Sequence, residues 1–136
     1  MAVDSTSYAP LQYVAGDTCL RSKQVTIAAS AGAISALAPL KRDVNGQCVL
    51  ATAIADEIVG ILVPGIGSEP GALVGIANSG ATQAAYVYTQ GDFWADQIGW
   101  GATLLALVTT DDKKDQVFDQ SGINLKFSGT GTGLLP

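Results

Sequence analysis

Apolar and polar residues alternate in several short stretches of the chain, and a period of two is typical of β-strands with one buried face. The pattern predicts strands at residues 24–28, 47–51, 83–89 and 123–127. Residues 58–63 form a continuous run of β-branched residues, leucine and one glycine, which predicts a strand buried on both faces. We therefore predict a small single domain that is mainly β with short helices.

Turn-forming residues separate these stretches. Asn45 and Gly46 precede the second of the strands, and this dipeptide favours a hairpin because both residues tolerate positive φ. A further short strand is predicted within residues 34–40. The glycine-rich segment 65–79 is interpreted as a loop, and residues 90–92 as a turn.

Helical signals lie in the second half of the chain. Residues 94–100 carry aromatic and aliphatic side chains at helical spacing, which predicts a single helical turn. Thr109 and Thr110 form an N-cap signal, and the aspartates that follow stabilise the positive end of a helix. This second pattern predicts a short helix over residues 111–118.

The low charge of the chain changes this picture. Charged residues make up 14% of the 136 residues, against about 25% in ordinary soluble domains, and hydrophobic residues make up 48%. Such a chain is either a β domain rich in glycine and alanine or a domain whose surface is partly covered by partner subunits. We favour the second interpretation, because so few charges leave much of a small surface without polar groups.

Charge and residue types also argue against several functions. The formal net charge is −5 and the seven Lys and Arg residues are scattered, so we expect no direct contact with nucleic acid, which needs clustered cations. Histidine is absent, which removes the commonest general base. Adjacent Asp56 and Glu57 point to different sides and make a poor catalytic pair. We predict no catalytic, cofactor-binding or metal site, and hence no enzyme.

Two further sequence features concern the compartment. Cys19 and Cys48 lack the spacing of a redox or metal motif, and whether they pair is left open. The first residues have no cationic region before an apolar run, and the weakly charged stretch 72–91 is too polar to span a membrane. We therefore expect synthesis in the cytoplasm and no membrane partner.

The ends of the chain differ from its middle. Residues 1–22 lack a consistent period and are interpreted as a flexible arm whose larger apolar side chains either fold back or contact a partner. These side chains are Tyr8, Pro10, Leu11 and Tyr13. The domain itself is assigned to residues 23–128, and residues 129–136 to a flexible tail. Because the predicted strands all begin later, we expect removal of residues 1–20 to leave the fold intact.

Most of the aromatic residues lie in one stretch of the second half. In a small β domain such residues are most often core or interface anchors, although they can also line a ligand pocket. The residues assigned to the core or to a subunit interface are Tyr86, Tyr88, Phe93, Trp94 and Trp100. Tyr86 and Tyr88 are expected on one face of their strand, and Val87 on the other.

A series of short motifs follows in order between Val25 and Phe127. The segments are Ala38–Leu40, Val49–Ala51, Ala55–Leu62, Tyr86–Phe93, Asp96–Trp100, Asp111–Lys114 and Gly122–Leu125. This series resembles the head decoration proteins of tailed phages, the family of the phage lambda capsid decoration protein D. No single motif is diagnostic, but the order of the whole series is fairly specific. The segment 65–79 is longer than in the lambda protein, and the tail is extra.

The resemblance implies a β-clip-like domain that assembles as a homotrimer. It implies binding to the major capsid protein on the outer surface of the virion, at threefold and quasi-threefold positions of the expanded head. There the protein stabilises the capsid against the pressure of packaged DNA, and the N-terminal arm contributes to attachment. The alternative is a β-rich virion surface module that binds a host carbohydrate or receptor through exposed aromatics.

Overall fold

The longest strand of the computed structural model, residues 83–94, is the one around which the other elements are arranged. The structure describes residues 13–15, 19–66, 73–77 and 80–127. The described chain is mainly β with few short helices, which confirms the predicted fold class. The strands are β1 (Arg21–Ile27), β2 (Pro39–Arg42), β3 (Cys48–Leu50), β4 (Gly60–Leu62), β5 (Gly65–Ile66), β6 (Leu73–Val74), β7 (Gln83–Trp94) and β8 (Gly122–Lys126).

Five strands pair in a closed ring. β1 is antiparallel to β7, β7 to β4, β4 to β2 and β2 to β3, and one parallel pair between Ile27 and Cys48 returns from β3 to β1. Each of these strands directs residues into one common cluster. The residues are Val25, Ile27, Leu40, Cys48, Leu62 and Val87. The ring is therefore a small barrel filled by side chains.

A second hydrophobic cluster, the outer cluster, lies outside the barrel and packs the helices against the barrel wall. Alternation along β4 directs Leu62 into the barrel and Ile61 into this outer cluster. The helices are a 3-10 turn (Ala95–Gln97), α1 (Ala102–Leu105) and α2 (Asp111–Val117). They contribute Leu104 and Val117 to the cluster, and β8 contributes Ile123. The outer cluster thus joins the second half of the chain to the barrel wall.

A bulge in β7 makes this two-core arrangement possible. Ser22 lies opposite Tyr88 and Arg21 opposite Gln90, so Thr89 is an extra residue in β7. Before the bulge, Val87 faces the barrel and Tyr88 faces the outer cluster. Beyond the bulge this alternation is reversed, so Phe93 also faces the outer cluster. The first half of β7 therefore pairs with β1 and β4, while its second half pairs in parallel with β8.

Several predicted elements are confirmed. The hairpin joins β2 and β3, and Asp43 accepts a hydrogen bond from the backbone amide of Gly46, whose φ is 80°. Gly46 alone carries positive φ in this loop, because a side-chain oxygen of Asp43 accepts the amides of Asn45 and Gln47. The Oγ1 of Thr110 accepts the amide of Lys113, which is the predicted N-cap of α2.

Other predictions are wrong. Residues 90–92 do not form a turn, because β7 continues through them with Gly91 at a φ of 147°. Within the predicted loop 65–79, β5 and β6 pair as a small separate sheet. The predicted strand at 34–40 is reduced to an isolated bridge between Ile34 and Ile76, and β2 begins only at Pro39. The predicted tail 129–136 lies outside the described residues.

We predict that Gly60→Ala destabilises the barrel. A Cβ at this position would overlap the backbone carbonyl oxygen of Tyr88 on the neighbouring strand, and backbone cannot move aside as a side chain can. The expected loss in the free energy of unfolding is about 3 kcal/mol, measured by chemical denaturation. Gly65→Ala is the matched control, because its nearest contact would be 3.7 Å away. Equal stability of the two variants would contradict the close approach of β4 and β7.

Candidate interaction surfaces

Tyr13 is part of the domain and not of a free arm. Its side chain is 3% exposed, and it belongs to the outer cluster. The assignment of Tyr13 to a partner-binding arm is therefore wrong, since a buried ring has no surface to offer. The other three arm residues, Tyr8, Pro10 and Leu11, lie outside the described part of the chain. The arm boundary at residue 22 is also too late, because β1 begins at Arg21.

The side chain of Tyr13 contacts two other aromatic residues, Tyr88 and Phe93. Its hydroxyl lies 2.8 Å from that of Tyr88, and its ring stacks on Phe93 at a centroid distance of 6.1 Å. Burial, followed by the hydrogen bond to Tyr88, raises the pKa of Tyr13 well above its usual range. The next residue, Val14, forms an antiparallel bridge with Phe93, and the amide of Ala15 donates to the carbonyl of Asp92 at 2.9 Å. The chain is thus attached to β7 before β1 begins.

The five aromatics assigned to a core or an interface differ in how far they are buried. Phe93 is fully buried, and Trp100 is 6% exposed and packs against Phe118 at a ring distance of 5.8 Å. Tyr88 and Trp94 are partly buried. Tyr86 is 55% exposed, although it lies on the same strand as Tyr88. Only Tyr86 among them presents a mostly open ring to a partner.

An apolar groove lies beside Tyr86. It is bounded by the end of β4, by Pro64, by β6 with the following Ile76, and by the first residues of β7, and it encloses about 320 Å³. Val74 on its rim is 47% exposed. Two large, half-exposed apolar side chains on one groove form a contact surface rather than a site for chemistry.

The barrel mouth near the start of β1 is cationic. Lys23, Lys41 and Arg42 line a groove of about 510 Å³, together with Asp56, Glu57, Ile58 and Val59. Lys23 comes from β1 and the other two cations from β2, so strands distant in sequence bring together three of the seven cations of the chain. We call these seven lining residues the cationic mouth.

Asp56 organises one side of the cationic mouth. Its Oδ2 accepts the backbone amides of Thr52 and Ala53, both at 2.9 Å, and lies 3.2 Å from Nζ of Lys41. Burial raises the pKa of Asp56, but the two amides and the Lys41 ammonium more than offset this, so the pKa is lowered overall. Asp56 therefore stabilises the turn that begins at Thr52.

A corner of opposite charge lies at α1 and α2. Leu105 and Leu107 are 53% and 43% exposed, whereas Leu104 and Val108 are buried in the outer cluster. The exposed carboxylates of α2 come directly after this apolar surface. We define the acidic corner as Leu105, Leu107, Asp111, Asp112 and Asp115.

Neither α1 nor the exposed leucines beside it were predicted from the sequence. The sequence does contain a helical signal there, because Leu104 and Val108 are four residues apart and share one helical face while Leu105 and Leu107 lie off it.

Both cysteines are free, with Cys48 buried in the barrel and Cys19 exposed. Among the described residues no group of three or more His, Cys, Asp or Glu side chains is arranged to hold a metal ion, and no helix is long and apolar enough to cross a membrane.

Comparison of the chain with models of known protein families finds no match, and none of the curated proteins matches it.

We predict that the fold depends on residues 13–15, contrary to the expectation for a deletion of residues 1–20. A chain that begins at residue 16 loses the buried ring of Tyr13 and the pairing of Val14 and Ala15 with β7. Compared with a chain that begins at residue 13, its free energy of unfolding should be lower by about 3–5 kcal/mol in denaturant titrations. Equal stability would show that Tyr13 adds nothing to the core.

We predict that the contribution of Asp56 depends on pH. A carboxyl with a lowered pKa stabilises the folded state when ionised, so its contribution is complete above the unfolded pKa of about 3.9 and is lost as the pH falls through the folded value. Asp56→Ala should cost about 1 kcal/mol at pH 6, and the difference from the native protein should shrink as the pH is lowered to about 3. Asp119→Ala, at an exposed position, is the control. A pH-independent difference would contradict this role.

Proposed function

We propose that this protein is a structural capsid decoration protein. It binds as trimers to the outer surface of an expanded phage head, at threefold and quasi-threefold positions, and stabilises the head against the pressure of packaged DNA. The observation that carries the proposal is the ordered series of motifs from Val25 to Phe127. Its principal segments coincide with β2, β3, β4, β7, the start of α2 and β8.

The surface of the domain supports a role in contact between proteins. Among the described residues, five large hydrophobic side chains are at least 43% exposed, in a chain with few charges. They are Val44, Val74, Tyr86, Leu105 and Leu107. They lie on the β2–β3 hairpin, on the apolar groove, and at the end of α1 with the residues that follow it, so several faces of one domain are suited to cover by neighbours.

The attachment of Tyr13 explains how an N-terminal arm would transmit force. In the proposal, Tyr8, Pro10 and Leu11 contact the major capsid protein. The chain then enters the domain at Tyr13, whose ring is locked between Tyr88 and Phe93. Tension on the preceding residues would therefore act on β7, which is central to both cores. Three arms on one trimer bind at high effective concentration, which offsets the entropy lost when each arm is ordered.

The alternative function, a virion surface module for a host carbohydrate or receptor, has one specific observation in its favour. Tyr86 is half-exposed on an apolar groove, as a sugar-stacking residue would be. Trp100, which this alternative also needs at the surface, is buried against Phe118. A glycan-binding assay that compares the native protein with Tyr86→Ala tests it.

We predict that the protein binds expanded, undecorated heads of its phage in multiples of three and that this binding needs the arm. Replacing both Tyr8 and Leu11 with Ala should weaken binding at least roughly tenfold, because the effect is repeated on three arms. Quantitative cosedimentation with heads measures the affinity, and electron microscopy of the decorated heads locates the protein. Gln120→Ala, at an exposed position of the domain, is the matched control.

Two outcomes would contradict the proposal. Native protein that does not bind expanded heads would refute capsid decoration. Binding that is unchanged by the arm substitutions would place the attachment elsewhere on the domain.

A further inference from the structure

Two surfaces of the described chain carry opposite excess charge. The cationic mouth has three cations and two carboxylates, beside the apolar side chains of Ile58 and Val59. The acidic corner has three exposed aspartates beside the half-exposed Leu105 and Leu107. The two surfaces therefore differ in their excess charge, since cations outnumber carboxylates in the mouth and the corner presents aspartates beside two half-exposed leucines.

Neither surface is neutralised within the domain. Among the described residues the one ion pair is that between Lys41 and Asp56, at 3.2 Å. Lys23 and Arg42 line the mouth together with Glu57, and the guanidinium of Arg42 donates to the carbonyl of Gly46. Lys113 and Lys114 lie on the same helix as the aspartates of the acidic corner, but these described side chains form no ion pair with one another. Both surfaces thus have unpaired charge directed at solvent.

The distribution of charge along the chain favours another copy as the partner. Residues 19–66 hold four cations and three carboxylates, whereas residues 80–127 hold three lysines and six aspartates. With a net charge of −5, two copies repel each other unless unlike faces meet. We infer that the acidic corner of one copy docks on the cationic mouth of the next copy.

Contact between two different surfaces is heterologous, and its symmetry has a consequence. Such a contact closes into a ring when the rotation between copies permits, and otherwise continues as a filament. A ring of three is the trimer of the proposed function, on whose self-association this inference rests. Lys23 would face the carboxylates of α2, and the half-exposed Leu105 and Leu107 would lie against the partly buried Val59.

A charge-swap experiment tests the docking on the full chain. Lys23→Glu and Asp115→Lys each place like charges across the contact, and neither residue makes a side-chain hydrogen bond or ion pair to another described residue. Each should weaken self-association about tenfold in sedimentation equilibrium, and the double variant should recover most of the loss. Association of the native protein should also weaken as the salt concentration rises from about 0.05 to about 0.5 M.

Lys126→Glu and Asp96→Lys are the matched controls, because they make the same charge changes at exposed positions outside both surfaces. Circular dichroism establishes that all variants fold. The inference is overturned if the reversals act no more strongly than the controls, if the double variant recovers nothing, or if the native protein does not self-associate. It is also overturned if the reversals weaken binding to heads alone, since the partner is then the capsid.

Failure of this inference and failure of the proposed function give different results. If every variant still forms trimers and binds heads, the docking is refuted and capsid decoration is not. Self-association that follows the charge swap, in a protein that does not bind expanded heads, supports the docking and refutes capsid decoration.

Discussion

The structure depends on β7 changing its buried face partway along its length. A regular strand would direct Val87 and Phe93 to the same side, because residues separated by an even number share a face. The extra residue Thr89 reverses the alternation, so Val87 fills the barrel and Phe93 the outer cluster. Gly91 follows at a φ of 147°, where a Cβ would lie 2.6 Å from the side chain of Leu20. One strand can therefore belong to two cores, and the helices have an apolar wall on which to pack.

Local signals were enough to predict the elements that local contacts determine. The cap of α2 needs only Thr110 and the amide three residues later, and the hairpin needs only Asp43 to Gln47. The continuation of β7 through residues 90–92 has no such local cause, because Gln-Gly-Asp is ordinarily a turn. It is a strand here because β8, about thirty residues later in the chain, pairs with these residues. Tertiary pairing overrides the local preference at this point.

The candidate surfaces could likewise be predicted from the sequence only in part. Burial of Trp100 and Phe93 follows from their size and character, whereas Tyr86 and Tyr88 have the same residue type and differ in exposure. Tyr88 is covered because Tyr13 contacts it, and the residues next to either tyrosine in the sequence do not predict that contact. The cationic mouth could not be predicted from the sequence either, since Lys23 and Arg42 are far apart along the chain and are brought together only by the pairing of the strands in the ring. A period of two assigns a side chain to a face, but only the topology determines what covers that face.

The two proposed contacts use different parts of the domain and meet in β7. Capsid attachment acts through the chain that enters at Tyr13 and Val14, on the second half of this strand. Docking between copies acts through the mouth, where Lys23 lies opposite Val87 in the first half. Tyr13 belongs to the outer cluster and Lys23 lies on the barrel strand β1, so the two contacts would load different parts of the domain. A ring of copies would then keep its contacts while its arms bear load, and each bound arm would hold the other two close to their sites.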